Sequence, residues 1–117
     1  MSGLTNHLAG EAAEGQVARH YAACGMKIMA RRWRGQGGEI DLIARDGNWT
    51  VFIEVKKGRN HAMAVARLSP RQIARLQNAA AEYLGGQPDG LNSDARFDIA
   101  LVDGAGQIDI IENALCA

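Results

Sequence analysis

The sequence is poor in cysteine and has no long apolar run. Its two cysteines, Cys24 and Cys116, form no metal-binding spacing and give no disulfide framework. No apolar stretch approaches the length of a membrane span. Residues 1–15 lack the charged start and continuous apolar core of a signal peptide. These absences argue against a disulfide-rich secreted domain and against an integral membrane protein, so we expect a cytoplasmic location.

Net charge is also lacking, although its distribution along the chain is uneven. Thirteen basic and thirteen acidic residues cancel. Residues 27–75 hold eleven bases and four acids, a net charge of +7, whereas residues 76–117 hold one base and seven acids, a net charge of −6. A basic segment of this kind is the footprint expected for a polyanion. Overall neutrality argues against tight non-specific binding, which grows with the number of phosphates neutralised, so a local site is expected.

What the sequence does contain predicts one α/β domain over residues 1–117. Hydrophobic residues make up 47% and charged residues 22% of the chain, as in ordinary globular proteins. Periodicity predicts helices over residues 8–24 and 70–84, and strands over residues 26–33, 39–44, 51–56, 96–102 and 107–111. Ser69 is the expected N-cap of the second helix, with Pro70 at its first position and Gly85 at its end.

Residues 37–56 predict a β-hairpin that turns at residues 46–48. If Arg45 lies opposite Thr50, Asp41 lies opposite Glu54, on the face that also carries Lys56. The other face is expected to be wholly apolar and consists of Ile40, Leu42, Ala44, Val51, Ile53 and Val55.

The two opposed carboxylates of this hairpin allow two interpretations. Like charges directly opposite each other destabilise a sheet, and a shared hard cation such as magnesium would offset the repulsion. A solvated sheet face with a Lys56 salt bridge explains the same pattern. Glu14 raises a similar question, because it lies in the apolar stripe of the first helix and needs a partner there. Its partner is either an arginine or the metal or basic cluster that Asp41 and Glu54 serve.

The segment around the first predicted loop is basic and rich in glycine. Gly35-Gln36-Gly37-Gly38 could seat a phosphate through its backbone, although no P-loop or dinucleotide fingerprint is present. A flexible hairpin connection explains the four residues equally well. Trp33 is expected to be partly buried, with stacking on a base as the alternative. His61 has no partner at metal-ligand spacing and is expected to be solvated.

Taken together, these motifs resemble the PD-(D/E)xK nuclease superfamily. That superfamily has an acid on its first helix, an aspartate on its second strand and Glu-x-Lys on its third. More closely, the chain resembles the YraN-like endonuclease family, which is similar to Holliday-junction resolvases. The resemblance is carried by GEAAEGQVARHYAACG, GGEIDLIARDG, VFIEVK and RFDIALV. It implies a restriction-endonuclease-like αβββαβ domain, with a central mixed sheet flanked by helices and an extra C-terminal strand.

The resemblance also implies roles for individual residues. Asp41 and Glu54 would bind Mg or Mn together with the Val55 carbonyl, and Glu14 would hold the metal directly or through water. Lys56 would orient or help deprotonate the attacking water, a role that suits a lysine near a phosphate. Gly38 and Glu39 match the family's GEID motif and would support the site. The predicted nucleic-acid contacts are Arg32, Arg34, Lys57, Arg59, Arg71, Gln72 and Arg75.

Two positions depart from the family pattern. Gln72 stands where the family often has lysine, and Gly58 stands where it commonly has a basic residue. Both departures concern substrate contacts rather than the predicted metal ligands.

The function expected from the resemblance is metal-dependent hydrolysis of DNA phosphodiester bonds, with selectivity for branched DNA. The alternative is a nucleic-acid-binding module of the same fold with little or no catalysis, and a third is a protein-interaction domain with structural salt bridges. A homodimer is the expectation by analogy with resolvases.

Overall fold

The computed structural model describes residues 3–58 and 66–115, with side chains for residues 12–58, 66–90 and 92–115. Its elements, in chain order, are α1 (Gly3–Ala23), β1 (Lys27–Arg34), β2 (Glu39–Asp46), β3 (Trp49–Lys57), α2 (Pro70–Gly85), a 3-10 turn (Gly90–Asn92), β4 (Asp94–Val102) and β5 (Ile108–Ile111). The predicted order of helices and strands is confirmed. The predictions for Arg59, His61 and Cys116 lie outside the described residues.

The five strands form one mixed sheet in the order β1-β2-β3-β4-β5. β3 and β4 run parallel, and the other neighbouring pairs are antiparallel. A parallel pair needs a long crossover connection, and α2 lies in that connection. The predicted α/β class and mixed sheet with an additional C-terminal strand are therefore confirmed.

The hairpin of β2 and β3 has the predicted register. Arg45 lies opposite Thr50, and Ile43 lies opposite Phe52. Its loop contains two residues, of which Gly47 is the first and has φ +60°. A left-handed residue at the first loop position is what a type II′ turn requires, and glycine adopts it without a steric penalty.

The two helices pack on opposite faces of the sheet. Residues of α1 lie in one buried cluster with Leu42, Val51 and Ile53, whereas residues of α2 lie in another with Phe52. Successive strand residues point to opposite faces, so Phe52 faces away from its neighbours Val51 and Ile53. Each helix therefore covers one face of the sheet, and strands β2 and β3 lie between the two helices.

One side chain departs from the predicted alternation. Ile40 packs in the cluster with α2, not with Leu42 on the α1 side, so the prediction that the two share a face is wrong. On the neighbouring strand β1, Arg32 has φ +50°, between the pairs Arg31↔Leu42 and Trp33↔Ile40. We attribute the change of face to this left-handed residue, because it interrupts the alternation of β1 beside residue 41.

The helix ends follow the predicted capping signals. The Ser69 hydroxyl accepts a hydrogen bond from the Gln72 backbone N–H at 3.1 Å, and α2 ends at Gly85. α1 extends from Gly3, five residues before the predicted start, and stops just before Gly25, which has φ +91°. Within the described part of the chain, neither helix combines the length and the apolar character needed to cross a membrane.

Candidate metal and nucleic-acid site

Asp41 lies on β2 at the point where the β2–β3 ladder stops. The ladder runs from Asp46↔Trp49 to Leu42↔Ile53, one position short of the predicted pair of Asp41 with Glu54. The Val55 backbone N–H donates a hydrogen bond to Asp41 Oδ2 at 2.9 Å. A side chain thus takes the place of a strand partner, and the carboxylate is fixed beside the end of the ladder.

Glu54 and Lys56 lie beside Asp41 on β3. Asp41 and Glu54 line the same cavity, and Lys56 Nζ lies 3.4 Å from Glu54 Oε1. The side chains of Glu54 and Lys56 are only 13% and 21% exposed. The structure therefore brings three of the predicted site residues into one partly buried group.

Both carboxyl groups hold their protons more tightly than usual. Burial raises the pKa of Asp41, and the negative charge of Glu14 raises it further, although the Val55 N–H opposes the change. Burial, followed by the charge of Asp41, raises the pKa of Glu54 to about 7 against the opposing effect of Lys56. Near neutral pH the pair therefore retains a proton that a bound cation can displace.

The pair fits a hard divalent cation by its donor chemistry. Magnesium is commonly held by one or two carboxylates, with water and substrate oxygens completing its shell. A cation between Asp41 and Glu54 would offset the burial of two carboxylates, which is the main cause of their raised pKa values. Among the described residues no group of three or more His, Cys, Asp or Glu side chains is arranged to share one ion. A set of two carboxylates, with the Val55 carbonyl still only a predicted ligand, is the arrangement that fits.

Glu14 reaches the neighbourhood of this pair from α1. Its Oε2 accepts a hydrogen bond from Arg32 Nε at 2.9 Å, and the glutamate side chain is 15% exposed. Arg32 lies beside Asp41 in the strand register, between the pairs Arg31↔Leu42 and Trp33↔Ile40, so this bond brings Glu14 toward the acidic pair. Both sequence interpretations therefore describe part of the structure, since Glu14 is paired with an arginine and also lies near the acidic pair. Arg32, a predicted nucleic-acid contact, binds a carboxylate of its own chain.

A cavity of about 260 Å³ opens between the acidic pair and α2. Gly38, Glu39, Asp41 and Glu54 line its strand side, and Gln72, Arg75 and Leu76 line its helix side. Of the predicted supporting and nucleic-acid-binding residues, four thus share one cavity with the carboxylates. The arrangement can place a ligand between two acids and a basic helix.

Three other predicted contacts lie outside this cavity. Arg34 is largely exposed and donates a hydrogen bond to Glu39 at 2.9 Å. Arg71 is exposed on α2. Lys57 lines a different cavity, of about 430 Å³, between α1 and the β4–β5 turn. Because neighbouring strand residues point to opposite faces, Lys57 is turned away from Lys56 and from the acidic pair.

The glycine-rich loop between β1 and β2 is docked on α2. The backbone N–H groups of Gln36 and Gly37 donate to the Glu82 carboxylate at 2.9–3.2 Å. A Cβ at Gly35 would lie only 2.5 Å from Glu82, and one at Gly37 would lie 3.1 Å from Asn78. The glycines therefore permit a close approach to α2. The predicted phosphate seat is filled by a carboxylate of the chain itself, and the loop is anchored rather than flexible.

Sequence reasoning missed a buried acid on β4. Asp98 accepts hydrogen bonds from the Tyr21 hydroxyl at 2.8 Å, from Arg96 Nε at 3.2 Å and from the Asn113 backbone N–H at 3.0 Å. Burial, with the nearby charge of Asp98, raises the pKa of Tyr21 well above its usual value. The signal available in the sequence was a single acid within the apolar run FDIALV.

Comparison with known proteins places the chain among close relatives. A model for the uncharacterised protein family UPF0102 matches residues 13–102. A UPF0102 protein of Cereibacter sphaeroides is 57% identical over 117 residues, which span both chains completely. A UPF0102 protein of Ruegeria pomeroyi is 55% identical over 112 residues, 96% of this chain and 91% of its own. One from Dinoroseobacter shibae is 44% identical over 106 residues, 91% of this chain and 79% of its own.

Proposed function

The chain belongs to the UPF0102 family, and from the geometry of its acidic site we propose that it is a metal-dependent endonuclease that hydrolyses DNA phosphodiester bonds. The observation that carries this proposal is the meeting of Asp41, Glu54 and Lys56 beside a cavity whose other wall is helix α2. Carboxyl groups whose pKa values are raised by burial and by a neighbouring charge cluster at active sites, which supports a functional role for this pair.

The proposed roles follow from the contacts of each residue. Asp41 and Glu54 would hold magnesium or manganese, which supplies charge neutralisation and an activated water when bound. Lys56, 3.4 Å from Glu54, would stabilise negative charge on the phosphate and orient the water. Gln72 and Arg75, on the opposite wall of the cavity, would contact the DNA backbone.

The proposal extends to the biological setting by analogy with resolvases. We place the protein in the cytoplasm, acting on branched DNA as a homodimer. A dimer with two-fold symmetry suits a four-way junction, because each subunit can address one of two equivalent strands.

A second candidate function is nucleic-acid binding by the same fold with little or no catalysis. One observation favours it: the described residues bring only two acids together as potential ligands, while Glu14 is held by Arg32. Under this proposal the acidic pair has a structural role, and the basic wall of the cavity binds the backbone.

A cleavage assay on linear, nicked, flapped and four-way DNA tests the two proposals. In the presence of magnesium or manganese we expect the wild type to cut at least one of these substrates. Glu54→Gln and Lys56→Ala should each lower the rate by at least about 100-fold, as removal of a group that stabilises transition-state charge commonly does. Chelation of the metal should abolish cleavage.

The matched control is Asp46→Asn, which removes an exposed acid at the far end of β2 and should leave the rate unchanged. Binding without cleavage by the wild type would favour the second candidate, and equal cleavage by all variants would indicate a contaminating nuclease. Calorimetry with manganese on the wild type and Asp41→Asn tests the metal separately. Negligible heats for both would remove the basis of the endonuclease proposal.

A further inference from the structure

The buried acid Asp98 is not used by the proposed function, and it lies where α1 meets β4. All three of its donors come from the chain: the Tyr21 hydroxyl, the Arg96 guanidinium and the Asn113 N–H. Among the described residues no buried side-chain nitrogen or oxygen lacks a hydrogen-bond partner. A carboxylate satisfied in this way has no demand for a ligand, so the cluster acts on the rest of the fold.

Helix α1 is held at two points, one on strand β1 and one on strand β4. Glu14 contacts Arg32 on β1, and Tyr21 contacts Asp98 on β4. Seven residues separate the two contacts, which corresponds to about 10.5 Å of helix and nearly two full turns. β1 and β4 are three strand spacings apart, about 14 Å. The helix therefore crosses β2 and β3, with Val17 fully buried between the contacts.

The apolar packing between these contacts gives little rotational control. Much of the interface of α1 is alanine, including the buried residues Ala13 and Ala18, and methyl groups form no directional bonds. At the outer radius of a helix, about 5–6 Å, a rotation of roughly 20° moves a side chain by about 2 Å. The directional hydrogen bond from Tyr21 to Asp98 fixes the rotation of the C-terminal half of the helix.

We propose that Asp98 is a positioning residue for the acidic site, which through Tyr21 sets the rotation of α1 and so keeps the Glu14 carboxylate beside Asp41. This inference rests on the proposed function, because it gives Glu14 a role toward the bound cation. The proximity that it requires follows from the strand register, because Glu14 binds Arg32 and Arg32 lies beside Asp41, between the pairs Arg31↔Leu42 and Trp33↔Ile40. The partners that maintain it are distant in sequence, since Tyr21 and Asp98 lie 77 positions apart.

A double-mutant cycle on manganese affinity tests the inference without any activity measurement. Calorimetry is performed on the wild type, Tyr21→Phe, Glu14→Gln and the double variant. We expect Tyr21→Phe to weaken manganese binding about threefold to tenfold, within the range of coupling found in one side-chain network. Glu14→Gln should weaken it at least as much. In the double variant, removal of the Tyr21 hydroxyl should not weaken manganese binding beyond the effect of Glu14→Gln alone.

The matched control is Tyr83→Phe, which alters the second of the two tyrosines of the chain. Tyr83 packs against Trp33 and Phe52 on the α2 side of the sheet, and its hydroxyl should be irrelevant to manganese affinity. Asp98→Asn is the second test variant, and it should reproduce the effect of Tyr21→Phe. Urea unfolding of every variant identifies the folded fraction that the calorimetry measures.

Three outcomes would overturn the inference. The first is unchanged affinity in Tyr21→Phe and Asp98→Asn, which would leave the proposed function intact. The second is an equal loss from Tyr21→Phe with and without Glu14, because general loosening of the fold would then explain it. The third is a wild type that binds no manganese, and in that case the endonuclease proposal fails with the inference.

Discussion

Glu54 and Asp98 are both acids withdrawn from water, and they differ in what surrounds the carboxylate. Asp98 has a hydroxyl, a guanidinium and a backbone N–H directed at it. Glu54 has a second acid, Asp41, and a lysine 3.4 Å away. Burial, followed by the charge of Asp41, raises the pKa of Glu54 to about 7 against the opposing effect of Lys56.

This difference separates two uses of a buried carboxyl group. Three donors bind the carboxylate oxygens of Asp98, so the side chain can serve as a fixed hub for α1, β4 and the turn after β5. A neighbouring acid destabilises the ionised form of Glu54, so this site gains free energy when a proton or a cation arrives. The fold therefore contains one acid that stabilises it and one that weakens it in the absence of a ligand.

Removal of Asp98 should have the largest effect on the free energy of unfolding. Asp98→Ala leaves Arg96 and the Tyr21 hydroxyl without their acceptor in a buried site, and we expect a loss of about 3–5 kcal/mol in the free energy of unfolding. Urea unfolding at pH 7.5 measures this loss. Asp41→Asn is the comparison, because it removes a repelling charge and should lower stability by no more than about 1 kcal/mol. Similar losses of stability in both variants would contradict the distinction between Asp98 and the acidic pair of Asp41 and Glu54.

Neutralisation of Glu54 should have an intermediate effect on the free energy of unfolding, and this effect should be of opposite sign. In the unfolded chain Glu54 titrates near 4.5, and in the folded protein near 7. The folded state thus binds the proton more tightly, and the stability contributed by this proton is lost as pH rises from about 4.5 to about 7. Glu54→Gln should therefore be more stable than the wild type by about 1–3 kcal/mol at pH 8.

The pH dependence of that difference distinguishes a titration from a packing change. The advantage of Glu54→Gln should shrink as the pH falls and approach zero below about pH 4.5, where the wild-type carboxyl group becomes protonated in both states. Urea unfolding across this pH range supplies the measurement. A constant advantage at all pH values would contradict a raised pKa.

The smallest effect is expected at Glu82, an exposed acid satisfied only by backbone N–H groups. Glu82→Ala should lower the free energy of unfolding by about 1 kcal/mol, since these bonds lie near solvent. Hydrogen exchange at the Gln36 and Gly37 amides should accelerate as the loop leaves α2. Asp89→Ala, which removes another exposed acid, is the control. Unchanged exchange at these amides would show that the loop keeps its position without the Glu82 carboxylate.

Local sequence signals were sufficient for much of the fold. The hairpin register followed from alternation and a short turn at Gly47, and the start of α2 followed from Ser69 and Pro70, because each depends on residues within a few positions. The convergence of Asp41 with Glu54 followed from the same register. The function and the metal inferred from this convergence stay predictions.

The features that sequence reasoning missed depend on distant partners. Glu82 lies 46 residues from Gln36, and no local pattern indicates that a helix carboxylate will bind a glycine loop. The altered face of Ile40 depends on the backbone of Arg32 on the neighbouring strand, which carries no glycine to signal a left-handed conformation. Tertiary packing selects these arrangements, so a reading confined to short windows cannot find them.

The irregular backbone of β1 also bears on how the protein avoids unwanted association. β1 forms one edge of the sheet, and its register shifts between Ile28 and Ala30, two residues before the left-handed Arg32. An edge with a bulge and exposed cations such as Lys27 and Arg31 offers a poor template for a strand from another molecule. The irregular backbone of β1 thus protects this edge of the sheet against edge-to-edge aggregation.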